Sequence, residues 1–258
     1  MKPQISRRVF IESVGAVSLA SLSEMRGAKA DALTSGAPAG HSGDGVLKSE
    51  SAAPNKPVYR FFNPEQARFI EVACERLIPA DEVGPGALEA GVPNYLDTQL
   101  NGAWGAGERL YRSGPWLKGT ASQGYQLPFT PAELFHAALQ AIQQEFGKRE
   151  QPFSELPPEA QDAYLKSLEE GAQDLGGVPA HVFFDMLLKM TIEGFFADPV
   201  YGGNRNMNAW RMIGFPGAYA DYYEAIDRHG VRYDREPMSI GEDGHRHLHP
   251  DPNIPAHL

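Results

Sequence analysis

Six prolines set the plan of this chain. Pro64, Pro93, Pro131, Pro158, Pro179 and Pro216 each stand at the head of a stretch whose apolar residues recur at helical spacing. Proline fixes φ near its helical value and lacks an N–H that the first turn leaves unused, so it opens helices and breaks them elsewhere. Asn63 to Ile78 predicts a first helix, capped by Asn63, with Phe69, Ile70, Ala73, Cys74 and Leu77 on one stripe and Pro79 as its stop. Val92 to Leu100 predicts a short helix opening at Pro93, with Tyr95, Leu96, Gln99 and Leu100 inward. Thr130-Pro-Ala-Glu133 has the form of a capping box ahead of Leu134, Phe135, Ala138, Leu139, Ile142 and Phe146. Pro158 to Glu170 buries Tyr164, Leu165 and Leu168, with Gly171 as its stop. Pro179 opens a longer helix through Val182, Phe183, Met186, Leu187, Met190 and Phe195. Pro216 is expected to open the last, with Tyr219, Tyr222, Tyr223 and Ile226, closed by Gly230. No stretch alternates apolar and polar residues for long enough to predict a strand. The fold class is all-α: a single irregular helical domain over 59–232, with long ordered loops rich in glycine, proline and aromatics.

Between the last two predicted helices lies the most unusual stretch, Asp198 to Ala218. Gly202 and Gly203 permit positive φ or a close backbone approach. Asn204, Asn206 and Asn208 can bond nearby backbone. Tyr201, Trp210 and Phe215 supply large apolar area at low entropic cost. Two interpretations stay open: a loop that plugs its own domain, or a surface presented to a partner through Tyr201, Gly202, Gly203, Asn204, Trp210 and Phe215. In the second, Tyr201 and Trp210 lie towards the partner and Phe215 towards the core. Gly84 to Gly91 is a glycine-proline loop, and Gly102 to Tyr125 is a longer one with Trp104, Tyr111 and Trp116.

The chain of 258 residues has 33 acidic and 23 basic side chains and a formal net charge of −10, which argues against nucleic acid and anionic lipid as partners. Its start reads as a twin-arginine export signal over 1–30. Arg7 and Arg8 precede Val9-Phe10, a weakly apolar run from Val14 to Leu22 is too short to span a bilayer, and Ala28-Lys29-Ala30 supplies a small-x-small cleavage site. Glu12 departs mildly from that pattern. Residues 31–58 read as a flexible arm and 233–258 as a polar tail. The expected location is the periplasm. The twin-arginine route carries folded proteins, commonly because a cofactor is inserted first, yet no cofactor site is legible here. The glycines lack the spacing and context of a dinucleotide-binding turn. One cysteine excludes both C-x-x-C-H haem attachment and a four-thiolate cluster. No G-x-S-x-G elbow or Walker loop occurs. His245, His247 and His249 alternate in the tail, where they lack the framework of a metal site. Asp81-Glu82 and Glu169-Glu170 read as solvated charge, and Cys74 as a buried small hydrophobe, with a disulfide to a partner as the alternative.

Three runs together, Ala73-Cys-Glu-Arg-Leu-Ile-Pro-Ala-Asp81, Gly91-Val-Pro-Asn-Tyr-Leu-Asp97 and Asp198-Pro-Val-Tyr-Gly-Gly-Asn204 continuing to Gly214-Phe-Pro-Gly217, resemble the gluconate 2-dehydrogenase subunit 3 family over roughly residues 60–240. The resemblance implies a non-catalytic small subunit without catalytic, cofactor or metal residues of its own. It implies a large subunit that binds FAD and oxidises a sugar acid, polyol or sugar, and a membrane-bound multihaem cytochrome c that takes the electrons. The small subunit would carry the export signal to the twin-arginine translocase and stabilise the large one, without spanning the membrane itself. The alternative from the residues alone is an independent periplasmic enzyme or binding protein, with His181, His229 or the tail histidines near Asp198 and Asp221.

Overall fold

The computed structural model describes Val58 to Gly241, apart from residues 109, 118, 121–125, 150, 172, 220–226, 228 and 231–234. The export-signal positions Arg7, Arg8, Ala28 and Ala30, the arm before Val58 and the tail histidines lie outside the described residues. The chain divides at Pro57/Val58 into two units, and the second carries everything that follows.

The described residues are mainly helical, as the proline pattern predicts: α1 (Pro64–Leu77), α2 (Val92–Leu100), α3 (Pro131–Lys148), α4 (Pro158–Glu169), α5 (Ala180–Phe196) and α6 (Asn208–Ile213). The caps explain the starts. The Asn63 side chain accepts from the Gln66 N–H at 2.9 Å while Gln66 accepts from the Asn63 N–H at 3.2 Å. Thr130 and Glu133 do the same at the head of α3, at 3.2 and 2.7 Å. Each such box removes two orphan donors that a bare helix end would leave.

α5 is the centre of the domain. It buries Ala180, Phe183, Phe184, Leu187, Met190, Thr191, Gly194 and Phe195, and α1 to α4 all pack against it. Phe183 meets Phe135 of α3 edge to face at 5.2 Å. A second aromatic cluster joins Phe146, Phe153 and Tyr164 where α3, the 3-10 turn Phe153–Glu155 and α4 converge. Truncating a ring such as Phe183 to alanine removes about 3–5 kcal/mol, a large part of an ordinary domain's stability. Cys74 is fully buried against Thr191 of α5, 3.5 Å from its hydroxyl, and burial pushes its thiol up to about 12. It is the buried hydrophobe, closed to a partner's thiol in this fold.

The structure departs from the sequence reading in three places. Asp174–Leu175 and Val178–Pro179 form a two-residue antiparallel hairpin, β1 and β2, where no strand was expected. Gly176 and Gly177 turn it at φ +69° and +90°, with the Asp174 carboxylate accepting from the Gly177 N–H at 2.8 Å. Secondly, Pro216 to Tyr219 are not helical, Gly217 pairing in a parallel bridge with Met238, and the rest of the expected last helix, with Tyr222, Tyr223 and Ile226, lies outside the described residues. Thirdly, Arg235 to Gly241, expected in a polar tail, return to the domain and bury Met238 and Ser239.

Candidate functional site

The stretch after α5 is built by exclusions at successive residues. Ala197 leaves the helix in extended geometry because Pro199 lies two residues ahead. Asp198 caps the 3-10 turn Pro199–Tyr201, accepting the Val200 N–H at 3.0 Å. Gly202 then reverses the chain at φ +95°. Gly203 crosses the C-terminal part of α5 so closely that a β-carbon on it would stand 2.1 Å from the Gly194 carbonyl oxygen. Gly194 is in turn the one residue α5 can place there, since a side chain would strike the Tyr95 ring at 2.8 Å. Across this contact the Asn204 N–H donates to the Gly194 carbonyl at 3.0 Å, and the Arg205 N–H donates to the Ala90 carbonyl at 2.9 Å.

Beyond the crossing the backbone winds left-handed. Asn204, Asn206 and Met207 have φ of +42°, +57° and +55°. Asparagine tolerates this region, whereas methionine pays about 1–2 kcal/mol there, so the surroundings must hold it. Asn204 is fully buried, and its side-chain oxygen accepts from the Ala209 N–H at 2.9 Å, which starts α6. Its Nδ2 has no hydrogen-bond partner among the described residues. α6 ends at Gly214, φ +71°.

Tyr201 is 51% exposed and Phe215 43%, but Trp210 only 6%. The Trp210 indole N–H donates to the Phe196 carbonyl at 2.8 Å, and Phe215 stands edge to face on that indole at 5.2 Å. The expected roles of these two rings are therefore exchanged. Trp210 closes the end of α5, because a buried indole needs an acceptor and the last helical carbonyls offer one. Phe215 is left to face outwards.

The three sequence runs are brought together. Gly202 lies against Asn94 and Thr98 of α2, and Gly91, at φ +75°, against Gly202 and Arg205. Ahead of them the loop after α1 is braced by Glu75, whose carboxylate accepts from the Leu88 N–H at 3.0 Å over a Gly86 with no space for a side chain. The aromatic loop from Gly102 leaves α2 at its other end, where the Gly105 N–H donates to the Gln99 carbonyl at 3.1 Å. Its rings are exposed as expected, Tyr111 most of all at 82%. Tyr111 and Trp116 border, with Arg112 and Phe129, a cavity of about 180 Å³.

Two acids do work that the sequence did not disclose. Asp97 is buried and accepts from the N–H groups of Arg60, Phe61 and Phe62 between 2.8 and 3.1 Å, so it fixes the entry to α1. Asp198 holds the returning C-terminal segment as well as its own turn. Both end or begin a run quoted above, which was their only signal. Gly194 also had one, since a glycine inside a helix marks a close approach.

Among the described residues no His/Asp site assembles. His181 begins α5 and Asp198 follows its far end, roughly 25 Å away along the helix. His229 is exposed, and Asp221 lies outside the described residues. No group of three or more His, Cys, Asp or Glu side chains suited to a metal occurs among the described residues. No described helix is long and apolar enough to cross a membrane. Asp81, Glu82, Glu169 and Glu170 are exposed.

Fold and site together define a helical scaffold whose shaped parts are loops, pinned to one another by backbone. The chain belongs to the gluconate 2-dehydrogenase subunit 3 family, whose model matches residues 64–217. That family is named for an accessory subunit of a dehydrogenase complex. No curated protein and no solved structure matches the chain.

Proposed function

We propose that this chain is the non-catalytic small subunit of a flavin-dependent dehydrogenase acting on a sugar acid, polyol or sugar. In this reading residues 1–30 are a twin-arginine signal centred on Arg7 and Arg8 and cleaved after Ala28-Lys29-Ala30, and residues 31–58 form an arm. The folded small subunit escorts the FAD-binding large subunit to the periplasm and stabilises it there on the outer face of the membrane. Electrons pass from the flavin to a multihaem cytochrome c without crossing this chain. Family membership supports the subunit role. The observation that carries docking is the placement of two half-exposed rings, Tyr201 on a backbone held by Gly194, Ala90 and Asp198, and Phe215 on one held by the Trp210 carbonyl. Rigid aromatic anchors of this kind dominate interface energies.

The test pairs two measurements on Tyr201→Ala and Phe215→Ala: thermal unfolding of the chain, and retention of the co-expressed FAD-binding subunit. Each truncation is expected to weaken the complex by about 2 kcal/mol, some thirtyfold, with little change in unfolding. Wild-type retention by both variants would remove the docking role. As a separate arm, Arg7→Lys with Arg8→Lys is expected to leave both subunits in the cytoplasm. A flavin subunit that still reaches the periplasm would end the escort idea.

A further inference from the structure

The segment Arg235 to Gly241 lies beyond the family match, which ends at residue 217. It is nevertheless bonded to Asp198–Tyr219 almost residue by residue. The Arg235 guanidinium stands 4.9 Å over the Tyr219 ring, and the Tyr219 hydroxyl donates to the Glu236 carbonyl at 2.9 Å. Arg211 reaches the Glu236 carboxylate at 3.3 Å. The Met238 N–H donates to the Pro216 carbonyl at 3.0 Å, and the Ala218 N–H donates to the Met238 carbonyl at 2.8 Å. Gly217 has no room for a β-carbon, which would stand 2.2 Å from that same Met238 oxygen. The Ser239 hydroxyl donates to one oxygen of Asp198 at 2.6 Å, and the Ile240 N–H donates to the other at 2.8 Å.

This pairing buries Met238 and Ser239 and turns Ile240 outwards, 54% exposed. Ile240 emerges beside Val200, itself 56% exposed, since a β-carbon on neighbouring Gly241 would lie 3.7 Å from the Val200 side chain. Val200 adjoins Tyr201, so the returning segment extends the apolar rim that the Asp198–Ala218 stretch presents. The charges around that rim oppose those of the chain. Pro199 to Tyr219 and Arg235 to Gly241 together have three arginines, Arg205, Arg211 and Arg235, against one carboxylate, Glu236, which Arg211 engages, in a chain of net charge −10. A rim of apolar residues framed by cations is complementary to an acidic face with an apolar centre.

We propose that Arg235 to Gly241 is part of the docking surface for the FAD-binding subunit, which meets it with an acidic face, and that Asp198 is the positioning residue holding it there. The proposal rests on the subunit reading above.

The experiment uses the full chain co-expressed with its FAD-binding subunit and compares wild type with Ile240→Glu, Ile240→Lys and Ser239→Ala. Ile240→Glu is expected to weaken the complex at least tenfold without changing the unfolding temperature of the chain, and Ile240→Lys to weaken it less. Ser239→Ala removes one bond to Asp198 while leaving the cap on Val200. It is expected to speed thermolysin cleavage before Ile240, and the partner is expected to slow that cleavage in wild type. Wild-type affinity of Ile240→Glu, a fall in its unfolding temperature, or cleavage unaffected by the partner would each overturn the proposal. So would dimerisation of the free chain through Ile240, or equal losses for Glu and Lys. Failure of the wild-type subunits to associate at all would instead remove the subunit reading.

Discussion

Gly202 and Gly203 look alike in the sequence, and the structure uses them for different reasons. Gly202 needs a positive φ, whereas Gly203 needs the absence of a β-carbon over the Gly194 carbonyl. Gly214 offers a comparison, because its φ is +71° but nothing lies within 4 Å of the position a β-carbon would take. Gly214→Ala is expected to cost about 1 kcal/mol, the left-handed penalty alone. Gly203→Ala adds overpacking against backbone and is expected to cost about 3 kcal/mol. Urea midpoints of the two variants check the order, and equal losses would mean that the crossing has slack. That both glycines were special was legible, since only this residue gives either freedom. Which ring of Trp210 and Phe215 turns inward was not. It depends on the phase at which the short α6 meets the end of α5, and that phase is set by three left-handed residues whose conformation no local pattern announces.

Helix starts were the most legible elements, because proline, a capping side chain and an acceptor three residues on are all local. The head of α3 makes a testable case. Glu133 accepts from the backbone N–H of Thr130 and lies near Arg112, which together hold its carboxyl below the usual range. A carboxyl lowered on folding stabilises the native state above its unfolded pKa of about 4.3, and that contribution is lost as pH falls through the lower folded value. The group is half exposed, so solvent screens it. Glu133→Gln keeps an acceptor and removes the charge. It is expected to cost about 0.5 kcal/mol at pH 7 and almost nothing near pH 2.5, read from urea unfolding at both. A loss that grows on acidification would refute the assignment. The hairpin of β1 and β2 was illegible for the opposite reason: two residues per strand cannot show an alternation. Pro216 leads into a bridge at Gly217, since a proline after a glycine-rich turn suits an extended edge as well as a helix start.

Across the molecule, charge and apolar surface are distributed against each other. The exposed large apolar residues avoid α1, α3, α4 and α5 and gather in the loops and at the end of α6. The Gly102 to Phe129 loop has three basic residues and one acidic, and the stretch after Pro199 is also basic, although the chain is acidic as a whole. Loops that are both apolar and cationic suit a partner of opposite sign. Association with the FAD-binding subunit is accordingly expected to weaken several-fold between about 0.05 and 0.5 M salt, as screening shortens from roughly 14 Å to 4 Å. Titration of the labelled chain at several salt concentrations reads this directly, and a salt-independent affinity would leave only the apolar anchors. The net charge was legible from counting. The return of residues 235–241 was not, because it rests on single bridges and on one carboxylate already engaged in its own turn.

That return has a consequence for the order of events in the cell. The Asp198 carboxylate meets Ser239 and Ile240 forty-odd residues downstream, so the rim cannot close while the ribosome still holds those residues. The helices from α1 to α5 have by then all been made. Contacts distant in sequence form late when their loops must first be closed. The proposed docking face is thus the last part of the domain to mature, and a nascent or truncated chain, however helical, would offer a partner an unfinished surface.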